Sequence, residues 1–112
     1  MPNLESGTQN ESPPRPEILR EQVKFLSEDS ANVIITYHAE ERMYERDITS
    51  AMMFKVLRTG MIKGGVEEGK KPGDWVVKVA ANMVGNRDVG VVTAVVQGGK
   101  LVIITVEWED IR

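Results

Sequence analysis

The 112-residue chain has no cysteine, and that absence removes several chemistries at once. Disulfides, thiolate metal centres and a cysteine nucleophile are excluded, and the composition fits a reducing compartment. Histidine is almost absent too. His38 is the only one, so a mechanism needing two histidines is impossible. No window approaches the ~20 apolar residues of a membrane span. The opening MPNLESGTQNESPPRP lacks the basic start and apolar run of a signal peptide. A soluble, cytoplasmic protein is therefore expected, with no membrane partner. An excess of positive charge is also missing: the net charge is −3. Through Ala31 there are six acids and three bases, and from Asn32 onward eleven of each. A neutral body does not advertise nucleic-acid binding unless its bases gather on one face.

What is present reads as one globular domain, with apolar and charged fractions of 41% and 28%. Residues 1–15, rich in Ser, Asn, Glu and Pro, read as a disordered tail, leaving 16–112 as a single α+β domain. In PEILREQVKFLSED, Ile18, Leu19, Val23, Phe25 and Leu26 recur at helical spacing behind Pro16, which predicts a helix over about 16 to 29. NVIIT is β-branched and short, either a brief strand or an extended lead-in. Thr36 can cap a second helix over about 37 to 46, and Thr49 or Ser50 a third that ends at Gly60.

Beyond Gly60 the period changes from helix to strand. MIKGGVEE is a weak strand, EGKKPGD a turn, and DWVVKVAANM an alternating strand; VGNRD turns the chain into VGVVTAVV. QGGK then makes a tight hairpin into LVIITVEWED, with Val102, Ile104, Val106 and Trp108 expected on one face and Ile103, Thr105 and Glu107 on the other. The expected architecture is α+β: helices on one face of an antiparallel meander of three to four strands.

The chemistry-bearing stretch is YHAEERMYERDIT, Tyr37 to Thr49. His38, Arg42 and Arg46 are spaced by four, so on a helix they form one slanting stripe, each ~40° round from the last. Two guanidinium forks can grip a phosphate, and an imidazole at their edge can move a proton. Beside this stands a plainer reading. Glu41 and Glu45 share the helix, and HAEERMYER equally describes a solvated, salt-bridged helix with Ala39 and Met43 facing the core.

The string from Tyr37 to Ile62 resembles a bacterial family catalogued as domain of unknown function 4258. The resemblance rests on His38-Ala39, Arg42-Met43, Arg46-Asp47-Ile48, the helix-ending Gly60 and the closing Ile103-Ile104-Thr105, and covers roughly residues 34 to 108. Asp47 departs from the pattern, standing where the family usually has glycine. The family is similar to small toxins of the RelE and BrnT type, in which helices pack on a curved antiparallel sheet. Many of those toxins cut RNA without a metal, often on the ribosome, and some family members are encoded beside zinc-finger antitoxins. For this chain the resemblance implies a metal-independent, cofactor-free ribonuclease with His38, Arg42, Arg46 and Thr105 as catalytic candidates. RNA or the ribosome, an antitoxin protein and a second copy of the chain are the implied partners.

Around that core, Arg87 in VGNRD and the pair Lys70-Lys71 are candidate RNA contacts, although Lys70-Lys71 equally reads as a solvated hairpin tip. Trp75 and Trp108 suit either base stacking or packing. Glu107, Glu109 and Asp110 crowd one end and offer a surface to a basic antitoxin. Two further readings stand against the ribonuclease: a non-enzymatic protein-binding or regulatory module of the same fold, and a structural domain that dimerises through its first helix.

Overall fold

The computed structural model describes residues 12–83 and 85–109. Most of the expected tail, together with Asp110, lies outside the described residues. Helix α1 spans Pro16–Ser27 and starts with Pro16 in its first turn, where a missing N–H leaves no bond unmade. It buries Leu19 and Val23 and leaves Ile18 and Phe25 exposed. The chain leaves the helix two residues earlier than its periodicity predicts, because the Asp29 carboxylate accepts from the Ala31 N–H at 3.0 Å and starts a short 3₁₀ turn, Ser30–Asn32.

Strand β1, Val33–Ile35, leads into helix α2, Tyr37–Glu45. Thr36 caps α2 as expected. Its hydroxyl accepts from the Ala39 N–H at 3.1 Å and donates to the Ile103 carbonyl at 2.7 Å, joining the helix start to the sheet. The helix ends in a Schellman turn. The Ile48 N–H bonds the Met43 carbonyl at 2.9 Å, the Asp47 N–H reaches Tyr44, and Ile48 is buried against the same core as Met43. Helix α3, Ser50–Thr59, is capped by the Thr49 hydroxyl on Met52 N–H.

Four further strands follow: β2 (Met61–Glu68), β3 (Trp75–Asn82), β4 (Asp88–Val96) and β5 (Lys100–Trp108). They form one five-stranded sheet in the order β1-β5-β4-β3-β2. This corrects the expected three-to-four-stranded antiparallel sheet. The lead-in NVIIT does pair, and it runs parallel to β5, with Ile34 opposite Val102. The sheet is therefore mixed. All three helices pack on one face, where Ala39, Met43, Met53, Val56 and Leu57 meet Val77, Val79, Val91, Ile103 and Val106. Burying each such aliphatic chain contributes ~1.5–3 kcal/mol.

Strand β5 also departs from simple alternation. Val92 pairs with Thr105 but Thr93 pairs with Ile103, so Ile104 is an extra residue in a β-bulge. The parity flips there. Leu101 and Ile103 face the helices before it and Val106 after it, while Val102, Ile104 and Thr105 lie on the other face. The expected grouping of Val102 and Ile104 with Val106 and Trp108 is wrong for this reason. An unbroken period of two cannot anticipate an inserted residue.

No helix covers that second face among the described residues. The strand register lays out rows on it: Val76, Ala94, Val102 and Ile34 form one, and Lys78, Val92 and Thr105 the next.

Candidate functional site

The stripe does not converge on one cleft: His38 lines one groove, whereas Arg46 edges a separate polar hollow of about 280 Å³ with Lys78, Glu107, Trp108 and Glu109. Arg42 is ion-paired with Glu45 one helical turn away. Arg46 points to the sheet, where its Nη1 donates to the Val106 carbonyl at 2.7 Å. The Arg46 carbonyl in turn accepts from Trp108 Nε1 at 2.8 Å. This reciprocal pair of bonds pins the end of α2 to β5. Each end of the helix is thus tied to the same strand: Thr36 to Ile103 and Arg46 to Val106. The half-buried guanidinium of Arg46 satisfies a carbonyl on the part of β5 beyond Ile103, where pairing with β1 has ended.

His38 sits apart from both arginines, exposed at the start of α2. It lines a groove of about 780 Å³ on the open sheet face. The aliphatic floor comes from Val76, Ala94, Val96, Val102 and Ile104, on three adjacent strands. Thr36 and His38 wall one side, and the β2–β3 loop with Lys70, Lys71 and Pro72 walls the other. The one carboxylate in the lining among the described residues, Asp74, is buried and accepts from the Gln97 N–H at 3.1 Å. The groove therefore combines an apolar floor, two exposed ammonium groups on one wall and an imidazole on the other.

The remaining sequence candidates lie outside this lining. Thr105 is on the open face one row away, opposite Val92. Arg87 stacks over the Trp108 ring, with its guanidinium carbon 4.0 Å from the ring centroid. Trp75 is buried in the core. Of the named residues, then, the structure brings His38, Lys70 and Lys71 together and leaves Arg42, Arg46, Thr105 and Arg87 elsewhere.

A second polar cluster went unnoticed in the sequence. Lys78 Nζ bonds Glu107 at 3.1 Å and Glu109 at 3.0 Å, and Lys63 approaches Glu109 at 3.6 Å. Burial lowers the Lys78 pKa, but hydrogen bonds and charge from Glu109 and Glu107 outweigh it, so the net displacement is upward. Gly90 makes room for the cluster, since a Cβ there would stand 2.3 Å from a Glu109 carboxylate oxygen. These acids are neutralised within the chain, which weakens their expected role as a surface for a basic partner. Among the described residues no group of three or more His, Asp or Glu side chains is placed to hold a metal ion. Likewise, none of the described helices is long and apolar enough to cross a membrane.

The family model for the domain of unknown function DUF4258 matches residues 35–108. The chain belongs to this family. The matched span starts at the last residue of β1 and ends with β5, so α1 lies outside the family's common part while α2, α3 and β2 to β5 lie within it. No curated protein and no solved structure matches the chain.

The groove floor was the feature least visible in the sequence, yet it left a trace. VGVVTAVV and LVIITV carry apolar residues at nearly every position rather than every second one. A strand apolar on both sides, in a sheet with helices on only one face, leaves an apolar surface open.

Proposed function

We propose that this chain is a non-enzymatic protein-binding module whose working surface is the groove on the open sheet face. One observation carries this reading: Arg42 and Arg46, the groups a phosphate site would need, are already engaged inside the molecule. The large concave surface they leave behind is floored by aliphatic side chains. Such a floor gains free energy by excluding water from a partner's apolar residues, at roughly 25 cal/mol per Å² of area buried. It offers a nucleic acid neither stacking rings nor a dense cationic track.

The test places a photo-crosslinking amino acid at Ile104 in cells, with Lys55 as a control position. A discrete protein adduct from position 104 and none from position 55 is the expected outcome. Purified chain should leave single-stranded RNA intact, and expression of the wild type and of His38→Ala should affect growth equally. RNA cleavage that vanishes in His38→Ala would overturn the reading.

A second reading, a toxin-like metal-independent ribonuclease with a RelE-like fold and an antitoxin partner, draws on a different observation. His38 shares its groove with Lys70 and Lys71, far away in sequence. In that reading His38 is the sole imidazole moving a proton, and the lysines hold the phosphate. Arg46 then acts only by positioning α2, and a Glu, Tyr or water supplies the second proton transfer.

A further inference from the structure

The groove's own chemistry specifies what kind of segment it takes, an inference that rests on the protein-binding reading above. We infer that the occupant is an extended segment with alternating aliphatic side chains and two carboxylates at one end, and that the carboxylates lie against the β2–β3 loop. The floor supplies the first half of the argument. Val76, Ala94 and Val102 form one cross-strand row that Ile34 of β1 prolongs. At ~4.8 Å per strand this row is ~14 Å long, which four to five residues of an extended chain cover at ~3.3 Å each. Ile34 in this row and Ile104 beside it on the same face stay 48% and 37% exposed, so among the described residues the β1–β5 end of the floor is open.

Charge supplies the second half. The lining holds two exposed ammonium groups, Lys70 and Lys71, both in the loop at the Val76 end. Among the described residues the only carboxylate in the lining is Asp74, which is buried and turned to a backbone N–H. Glu67 pairs with Val76 and prolongs the row at this end on the same face, but it does not line the groove, and the two lysines outnumber it. An acidic end at this loop gains attraction without displacing an internal ion pair, whereas a basic end meets like charge. The row and the loop together set a direction: carboxylates over Lys70 and Lys71, aliphatic side chains running across β3, β4 and β5 toward β1.

The experiment selects phage-displayed random dodecapeptides on the full chain and on two variants, Lys70→Glu/Lys71→Glu and Ile104→Asp. All three changes are at exposed positions, and circular dichroism confirms that the variants fold. Wild type should enrich aliphatic residues at alternate positions beside Asp or Glu. The double charge reversal should enrich the same aliphatic pattern beside Lys or Arg, and weaken the wild-type peptides at least tenfold. Enrichment of basic or aromatic peptides by wild type, or an unchanged flank preference in the charge-reversed variant, overturns the inference and leaves the protein-binding reading standing. Absence of any peptide whose binding depends on Ile104 overturns both. So does a single-stranded RNA dodecamer that binds wild type and is lost in Ile104→Asp.

Discussion

Asp47 stands at the turn after α2 with φ 57, in the left-handed region that an L side chain enters only at some expense. The resemblance drawn from the sequence expects glycine at this point, and the geometry accounts for that expectation: the Schellman turn needs a left-handed residue between Arg46 and Ile48. Asp47→Gly should therefore raise stability, by about 0.5–1 kcal/mol, read as a higher urea midpoint with an unchanged slope. Gly60 illustrates the opposite case. Its φ of −81 suits any residue, and yet a Cβ there would stand 2.7 Å from the carbonyl oxygens of Ala80 and Val56. The need is for space between α3 and β3, not for conformational freedom. Gly60→Ala should destabilise by about 2–3 kcal/mol, because backbone on two elements must give way.

At the scale of elements, α2 is held to β5 by Arg46 and Trp108 acting reciprocally. If Arg46 is structural, Arg46→Met should lower stability by about 1.5–3 kcal/mol, the range for a lost hydrogen bond from a charged donor, and shift the thermal midpoint downward. Trp108→Phe removes the bond to the Arg46 carbonyl and weakens the stacking of Arg87 on the ring, and should lower it by about 1–2 kcal/mol. An arginine side chain kept purely for RNA would leave the Arg46→Met midpoint unmoved. The β3–β5 cluster gives a pH dependence with a definite sign. The folded-state pKa of Lys78 is raised, so its contribution is fully present below the unfolded value of about 10.4. That contribution disappears as pH rises through the higher folded value. The stability difference between wild type and Lys78→Met should thus be flat through neutral pH and shrink above about pH 10.4, as followed by urea titrations at several alkaline pH values.

For the molecule as a whole, the decisive asymmetry is that three helices cover one side of the sheet and none of the described residues forms a layer on the other. Ile104 sits on that open side, partly exposed, where removing an apolar side chain leaves no cavity. Ile104→Asp should change the unfolding free energy by less than about 1 kcal/mol while abolishing partner uptake, a separation of stability from binding that core positions such as Ile103 cannot show.

Much of the architecture was legible in order along the chain. Pro16, Thr36 and Thr49 mark helix starts, and the change of period after Gly60 marks the sheet, because caps and periodicity are local properties that neighbouring residues decide among themselves. The membership of β1 in the sheet was not legible, since a three-residue strand is stable only through its parallel partner β5. Nor was the face to which Ile104 belongs, because a bulge is a property of two paired strands and not of either sequence alone. The site divides the same way. Spacing alone placed His38, Arg42 and Arg46 on one helical stripe. Only the packing of α2 against β5 turned Arg46 inward to a strand carbonyl and left His38 facing Lys70 and Lys71 across an aliphatic floor. Helical spacing sets relative angles about an axis, whereas the orientation of that axis against the sheet depends on burial summed over the whole core.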